Sequence, residues 1–216
     1  METNTLYNED CIKGMQKIDS DSIDAIICDP DWSKKGMSTF EPFAEQAKHI
    51  LKPSGWCVCY CGLMFLPQAT DALNKHLEYY WTLGIKFNGS PVLLRNLNVL
   101  NRWRMVLVYQ KPPKTYQHQL INDLITDDSP SNKKVHPWQQ GEKAISKLVR
   151  MFSKKGDLVC DPFVGSGVVP LVCHSLGRKW IGFEIDEMAY ENALKYIEMC
   201  KGYKIGITRP LDELQL

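Results

Sequence analysis

The chain has 216 residues, 44% of them hydrophobic, and a formal net charge of +1 at pH 7. This length allows one sizeable hydrophobic core and is too short for two ordinary domains, so we expect a single domain over residues 1–216. No apolar run is long enough to cross a bilayer and residues 1–10 do not resemble a signal peptide, so a soluble cytoplasmic protein is expected.

Strand-like and helix-like patterns alternate along the chain. Apolar, β-rich runs predict strands at 23–28, 56–61, 104–109, 158–160 and 180–183. Helical periodicity predicts helices at 43–51, 67–79, 141–152, 167–176 and 187–199. This alternation is typical of an α/β fold with a doubly wound, mostly parallel sheet that helices cover on both faces. Turn formers and charges without an apolar period predict a connecting loop at 126–135.

An acid, a proline and an aromatic residue follow the first predicted strand, within the segment Asp29-Pro30-Asp31-Trp32. Aspartate and proline are common where a strand turns into a loop, so an ordinary turn is one interpretation of this segment. Taken by itself, the segment favours this interpretation.

Three of the eight cysteines, Cys57, Cys59 and Cys61, alternate along one predicted strand and so share one face. Because no second cysteine pair has metal-ligand spacing, buried strand residues are favoured over a zinc site, and no metal is expected. Reduced thiols in apolar surroundings agree with a cytosolic protein.

The stretch 79–122 contains no aspartate or glutamate, although the chain as a whole is nearly neutral. Its basic residues include Arg95, Arg102 and Arg104, with Trp103 among the aromatic residues beside them. Guanidinium groups can bind DNA phosphates and base edges, so these arginines are candidate DNA contacts. A solvated basic face around aromatic core residues is the alternative.

A glycine-containing turn joins the fourth predicted strand to a helix, and Glu184 follows the next strand. Gly165 and Gly167 would let the main chain approach a ligand closely, and Glu184 could accept hydrogen bonds from ribose hydroxyls. Pro170 stands where a dinucleotide fingerprint needs a third glycine, and Asp161 would repel a pyrophosphate. An adenosine-containing cation with sulfonium and ammonium groups fits better, while a plain strand-to-helix turn is the alternative.

These motifs, taken in their order along the chain, resemble those of the amino-methyltransferases of DNA. Residues 29–32 are similar to the Asp-Pro-Pro-aromatic segment of that family, and residues 161–167 to its Asp-Pro-Phe-x-Gly-x-Gly element. Residues 8–11 resemble its Gly-Asp-Cys segment, and residues 136–139 its His-Pro-Thr-Gln element. The catalytic motif precedes the cofactor motif, which is similar to the permuted beta arrangement. The resemblance implies the Rossmann-like fold of class I S-adenosylmethionine-dependent methyltransferases.

The same resemblance implies S-adenosylmethionine as the cofactor and double-stranded DNA as the partner. The Asp29 carboxylate and the Pro30 carbonyl would hold the amino group of a base that has left the helix. Trp32 would stack on that base. The family's cofactor-binding positions are matched here by Asp10, Cys11, His136, Asp161, Phe163, Gly165, Ser166, Gly167 and Glu184.

The resemblance also places a short target-recognition insertion at 79–125. A recognition segment this small implies a short or relaxed target sequence, or the help of a second subunit in a homodimer. The predicted DNA contacts are Lys34, Lys35, Arg95, Arg102 and Arg104.

Two positions depart from the family's pattern. Asp31 stands where the family has proline, which places a second carboxylate beside Asp29. We hypothesise that Asp31 points to solvent or to Lys34 and Lys35, and leaves Asp29 ionised. Gln140 replaces a lysine near the tail of the cofactor, and weaker cofactor binding is one consequence.

The expected activity is methyl transfer to an exocyclic amine of a DNA base. Adenine N6 is favoured over cytosine N4 because the catalytic segment begins with Asp29 and not with serine. Methylation of cytosine carbon 5 is excluded, since no cysteine follows a proline. Methylation of RNA or protein amines, and a non-catalytic cofactor-binding or DNA-binding regulator, are the alternatives.

Overall fold

The computed structural model describes residues 1–87, 91–116, 120–127 and 141–200. Its strands are β1 (Thr5–Tyr7), β2 (Ile23–Cys28), β3 (Leu51–Cys61), β4 (Glu78–Phe87), β5 (Val92–Leu94), β6 (Val99–Asn101), β7 (Trp103–Gln110), β8 (Leu124–Asp127), β9 (Leu158–Asp161) and β10 (Lys179–Phe183). Its helices are α1 (Cys11–Met15), α2 (Phe40–Ile50), α3 (Leu66–Asn74), α4 (Glu142–Phe152), α5 (Val168–Ser175) and α6 (Glu187–Cys200). Short 3₁₀ turns lie at Gly36–Thr39, Leu63–Phe65 and Arg95–Leu97.

Eight of these strands form one sheet in the order β1-β10-β9-β2-β3-β7-β4-β8. The first five strands in this order, β1, β10, β9, β2 and β3, pair in parallel. β7 is antiparallel to both of its neighbours, and β8 is parallel to β4. The strands β5 and β6 form a separate antiparallel hairpin. The predicted mostly parallel α/β sheet is confirmed.

Helices pack on both faces of the sheet, so that alternate residues of each strand enter one of two cores. On one face, Phe43 of α2 and Leu73 of α3 pack with Cys57, Cys59 and Cys61 of β3. The three cysteines are thus buried strand residues on a common face, as the alternation predicted. On the other face, α4, α5 and α6 cover the side chains that point the opposite way.

Asp24 fixes the relative positions of three strands in the middle of the sheet. One carboxylate oxygen forms an ion pair with Lys52 of β3 at 2.5 Å, and the other accepts the N–H of Leu158 at 2.8 Å. The ion pair is partly exposed and contributes little by itself, whereas the hydrogen bond to the main chain sets where β9 begins beside β2. This register determines where the two strands end, and the candidate site is built at those ends.

One predicted helix is too long. The helix expected at 67–79 ends at Asn74, and β4 begins at Glu78. The N–H groups of His76 and Leu77 both bond to the Leu73 carbonyl, which closes the helix before the aromatic run that starts at Tyr79. Bulky aromatic side chains favour a strand that packs against β7, and this long-range pairing overrides the local helical pattern.

The segment 79–125 contributes β4, β7 and the start of β8 to the main sheet, while the β5–β6 hairpin lies outside it. The predicted loop at 126–135 begins within β8, and its residues from 128 onward lie outside the described residues. In the described part of the chain, no helix is long and apolar enough to cross a membrane.

Candidate active site

The two motif segments lie side by side at one edge of the sheet. β2 and β9 are parallel neighbours, with Ala25 opposite Val159 and Ile26 opposite Cys160. Asp29 follows two residues beyond the position level with Asp161, near enough for its charge to act on that carboxyl group. In open α/β sheets, ligands bind in the crevice outside these ends. The catalytic and cofactor motifs are brought together by the fold.

The glycine turn after β9 needs its glycines for two separate reasons. Gly165 and Gly167 have φ angles of +52° and +87°, a region that side chains strongly disfavour. A Cβ on Gly167 would also lie 3.3 Å from Ala193 and 3.3 Å from Ile197 of α6. The turn therefore brings the start of α5 close to α6.

Glu184 joins the end of β10 to the glycine turn. One carboxylate oxygen accepts the Gly165 N–H at 2.8 Å, and the other accepts the Asp186 N–H at 2.9 Å. A carboxylate offers about four acceptor positions, so these two bonds leave room for the hydroxyls of a ribose. The side chain is half-buried and reaches the crevice from the strand next to β9.

Negative charge is concentrated at this edge. Asp161 is 3% exposed, and one of its carboxylate oxygens accepts the Phe163 N–H at 3.0 Å. Burial raises the pKa of Asp161 well above its usual range, the Phe163 N–H lowers it, and the charges of Glu184 and Asp29 raise it further. A cationic ligand would relieve this repulsion, which fits a sulfonium and ammonium compound and not a phosphate.

Residues 8–11, which follow β1, reach the same edge of the sheet. Asp10 caps α1 by accepting the Lys13 N–H at 3.1 Å. Cys11 is buried, and burial followed by the charge of Asp10 raises the pKa of its thiol to about 12. Asn8, whose role the motif did not predict, donates its side-chain amide to the Glu184 carbonyl at 2.8 Å. These contacts place residues 8–11 beside Glu184, the predicted acceptor of the ribose hydroxyls.

The catalytic segment turns sharply after β2. Trp32 is half-buried against Gly62, where a Cβ would lie 3.1 to 3.3 Å from three Trp32 carbon atoms. Gly62 thus leaves room for the indole ring. Asp31 is exposed, and its carboxylate accepts the Ser33 N–H at 2.9 Å and the Ser33 hydroxyl at 2.7 Å. Asp31 therefore faces solvent, as one form of our hypothesis requires, and stabilises the turn.

Tyr60 belongs to the site and was missed in the sequence. Cys28 pairs with Cys59 across β2 and β3, so Tyr60 is the residue of β3 that lies beside Asp29. Its ring is fully buried, and its hydroxyl has no hydrogen-bond partner among the described residues. Tyr60 stands near the end of the predicted strand 56–61, where a side chain can reach a site at the strand ends. The sequence does not show which strand lies beside this one, so Tyr60 could not be linked to Asp29.

The predicted DNA contacts are distributed over the same edge and the hairpin. Arg104 lies near the start of β7, which is antiparallel to β3 and so begins where β3 ends. Arg102 is exposed beside it, Arg95 lies in the turn between β5 and β6, and Lys34 and Lys35 are exposed after Trp32. His136 and Gln140 lie outside the described residues.

A parallel-sheet crevice with a glycine turn, an acid at the end of the next strand and a buried carboxylate is typical of an S-adenosylmethionine-dependent methyltransferase. The chain matches the DNA methylase family over residues 29–195 and belongs to that family. The predicted family and cofactor are confirmed. The permuted order of the two motifs stays a prediction, since it depends on the role of each.

Several characterised proteins are similar to the chain. It is 25% identical to the type II methyltransferase M.HpaI of Haemophilus parainfluenzae, over 91% of the chain and 72% of M.HpaI. It is 26% identical to the type II methyltransferase M.BamHI of Bacillus amyloliquefaciens, over 83% of the chain and 54% of M.BamHI. It is 30% identical to the DNA adenine methyltransferase YhdJ of Escherichia coli strain K12, over 54% of the chain and 41% of YhdJ.

Solved structures share the fold. The M1.HpyAVI–SAM complex superposes with a TM-score of 0.73 at 24% identity, covering 88% of the chain and 97% of M1.HpyAVI. The cytosine-N4-specific PvuII DNA methyltransferase superposes with a TM-score of 0.75 at 19% identity, covering 96% of the chain and 89% of that structure. The predicted class I methyltransferase fold is confirmed by these likenesses.

The raised pKa of Asp161 predicts a pH-dependent affinity for S-adenosylmethionine. A cation favours the ionised carboxylate, so affinity should rise as pH increases through the pKa of Asp161 and fall below it. In the pH range where Asp161 is still protonated, binding should release a proton. Calorimetry in buffers of different ionisation enthalpy measures this release. Asp161→Asn should bind more weakly with a flatter profile, and an equally steep profile in this variant would contradict the assignment.

Proposed function

We propose that the chain transfers a methyl group from S-adenosylmethionine to the exocyclic amino group of a DNA base, and that this group is N6 of adenine. The observation that carries this proposal is the juxtaposition of Asp29 and the acidic glycine turn at the ends of adjacent strands. An aspartate at position 29 favours adenine over cytosine, and the similarity to a protein named a DNA adenine methyltransferase adds support.

Asp29 and Pro30 are the groups that would hold the amine. Asp29 is half-buried and Pro30 is buried, so both oxygen acceptors sit where water is partly excluded. An exocyclic amine is a poor nucleophile because its lone pair is delocalised into the base. Hydrogen bonds from its two protons to the Asp29 carboxylate and the Pro30 carbonyl would favour a pyramidal nitrogen with a localised lone pair. Alignment, and not a covalent intermediate, is the main contribution of these residues.

The cofactor would lie over the ends of β9 and β10. Glu184 would bind the ribose hydroxyls, Asp10 would lie near the adenine, and Gly165 and Gly167 would allow close main-chain approach. Asp161 would face the positive end of the molecule. Bound S-adenosylmethionine supplies an electrophilic methyl group on a sulfonium. His136 is proposed at the methionine end on the resemblance alone.

Trp32 would stack on the target base after the base has left the duplex. The indole already rests against Gly62 at the correct edge of the sheet, beside Asp29. Extruding a base costs a few kcal/mol, and stacking on an aromatic ring returns about 1 to 3 kcal/mol of this. The orientation of the base, and not only its affinity, would then depend on Trp32.

A cavity next to β4 and β7 supports a contact with the DNA backbone. It has a volume of about 420 Å³ and is lined by residues that include Lys86, Arg102 and Trp103. Gly84 provides its floor, since a Cβ there would lie 3.4 Å from the Trp103 ring. Lys86 and Arg102 both lie towards the same edge of the sheet as Asp29, because β4 ends and β7 begins at that edge. We propose that they bind phosphates flanking the target base.

Replacing Lys86 and Arg102 together by alanine should weaken duplex binding about tenfold near 0.1 M salt. The slope of log affinity against log salt should become shallower by about 2, one phosphate for each cation. Lys48→Ala, an exposed lysine near the end of α2 at the opposite edge, is the control and should leave the slope unchanged. Fluorescence anisotropy over a salt series measures both quantities. An unchanged slope in the double variant would exclude this cavity as a DNA contact.

Two further proposals concern assembly and location. The β5–β6 hairpin exposes apolar side chains, and these support a homodimer in which a second copy covers them. The exposed residues are Val92, Leu93, Leu97, Val99 and Leu100. The cysteine side chains that the structure describes are free and buried, which supports a reducing compartment such as the cytoplasm.

The proposed activity is tested by incubating the protein with S-adenosylmethionine carrying a deuterated methyl group and plasmid DNA, followed by mass spectrometry of the nucleosides. N6-methyladenine with the heavy methyl group is the expected product. Labelled N4-methylcytosine would support the same transfer to an exocyclic amine and would show that cytosine, not adenine, is the target base. RNA and protein incubated in parallel test the alternative amine substrates. No labelled nucleoside in DNA, with folded protein that binds the cofactor, would contradict the proposal.

A further inference from the structure

Tyr60 combines full burial with a polar atom that the resting protein leaves unsatisfied. The residue is 1% exposed, and its hydroxyl oxygen has no hydrogen-bond partner among the described residues. A buried hydroxyl without a partner lowers stability, and phenylalanine would fill the same space without this cost. Such groups persist in native proteins mainly where a function needs them.

The register of the sheet puts Tyr60 beside the candidate active site, close enough for the charge of Asp29 to act on its hydroxyl. Because Cys28 lies opposite Cys59, Tyr60 lies next to Asp29 at the edge where β2 ends. Tyr60 belongs to the core under α4, α5 and α6, and Trp32 packs against that same core. The indole Nε1 of Trp32 is also buried without a hydrogen-bond partner in the described part of the chain. This core therefore holds two buried donors without a hydrogen-bond partner among the described residues.

Burial keeps the Tyr60 hydroxyl protonated. Burial raises the pKa of Tyr60 well above its usual range, and the charges of Asp29 and Asp127 raise it further. The charge of Arg104 lowers it by less than burial raises it. The hydroxyl is therefore a hydrogen-bond donor throughout the working pH range, and what it lacks is an acceptor.

The target base would supply that acceptor. In adenine the ring nitrogen next to the amino-bearing carbon is N1, and in cytosine it is N3. Both nitrogens carry a lone pair and no hydrogen, so both accept hydrogen bonds. The corresponding ring nitrogens of guanine and thymine carry a hydrogen. A buried donor beside the amine-binding carboxylate thus fits adenine, whose 6-amino group lies next to N1, and cytosine, whose 4-amino group lies next to N3; guanine and thymine carry a carbonyl oxygen at the position of that amine.

We propose that the Tyr60 hydroxyl donates a hydrogen bond to the ring nitrogen beside the target amine and so fixes the base with its amino group against Asp29. This inference rests on the proposed function. It adds to that function a third group that contacts the base, located on a different strand from residues 29–32.

Tyr60→Phe removes this one hydroxyl and leaves the ring. We expect kcat/KM for DNA to fall about tenfold and Tm to rise by about 2 to 4 °C, with the Kd for S-adenosylmethionine unchanged. The matched control is Tyr109→Phe, because the Tyr109 hydroxyl is bonded to the Asn74 side chain at 3.0 Å and lies outside the site. This variant should lower Tm and leave kcat/KM unchanged.

A substrate analogue separates a contact with the base from an indirect effect. DNA with 1-deazaadenine at the target position lacks the ring nitrogen; 3-deazacytosine serves if cytosine is the target. Wild type should lose about tenfold in kcat/KM on the analogue, whereas Tyr60→Phe should lose nothing further. If Tyr60→Phe also loses about tenfold in kcat/KM on the analogue, so that the two effects multiply, the inference is overturned. Full activity of Tyr60→Phe on unmodified DNA, or a lower Tm of this variant, would overturn it as well. Wild-type activity on unmodified DNA, measured alongside, shows independently whether the proposed function holds.

Discussion

Asp29→Ala is expected to lower kcat for DNA methylation by about 100-fold to 10,000-fold while the protein still binds S-adenosylmethionine. The substitution removes the carboxylate that would hold and polarise the amine, and effects of this size are usual for such groups. Cofactor binding should survive because Glu184 and the glycine turn are held together by bonds that do not involve Asp29. Single-turnover kinetics with saturating cofactor measures the chemical step directly.

Asp71→Ala is the matched control for this experiment. Asp71 is an exposed aspartate on α3, away from residues 29–32 in the fold, so its removal should leave kcat unchanged. Equal rates for Asp29→Ala and wild type would show that the carboxylate at the end of β2 does not hold the amine. A loss of cofactor binding in Asp29→Ala would show that the two halves of the site are not separable in this way.

Glu184→Ala is the second substitution with a large expected effect, and it should raise the Kd for S-adenosylmethionine about 100-fold. The change removes the acceptor of two main-chain N–H groups, those of Gly165 and Asp186, as well as the proposed acceptor of the ribose hydroxyls. Hydrogen bonds to a charged group are each worth about 1.5 to 3 kcal/mol, so losing them weakens binding strongly. Isothermal titration calorimetry gives the Kd.

Glu187→Ala provides the comparison, because Glu187 is an exposed acid only three positions further along, in the first turn of α6. Its removal should leave the Kd within about twofold, since its contribution is limited to the helix terminus. Similar affinities for Glu184→Ala and Glu187→Ala would mean that general negative charge, and not the specific bonds of Glu184, supports binding.

The placement of residues 29–32 and 161–167 could be predicted because it depends on local sequence. Residues 29–32 and 161–167 each follow a buried strand, and the carboxyl ends of parallel strands meet at one edge. Alternation of hydrophobic residues likewise predicted the shared face of Cys57, Cys59 and Cys61. Neither prediction needed knowledge of which strands are neighbours.

What depended on strand neighbours could not be predicted. Tyr60 enters the site only because β3 lies beside β2, and Lys86 meets Arg102 only because β4 pairs with β7. The helix predicted at 67–79 ran too far for the same reason, since pairing with β7 draws Tyr79 into a strand. Short strands such as β1 have no distinctive pattern and are stabilised by their partners.

The proposed function requires first that the folded chain holds a sulfonium compound at the edge where Asp29 lies. Calorimetric titration of the wild-type protein with S-adenosylmethionine near neutral pH measures this. We predict saturable binding of one molecule per chain, with the affinity about 100-fold weaker in Glu184→Ala and kept in Asp29→Ala. A folded wild-type protein that shows no saturable binding would contradict the proposed function.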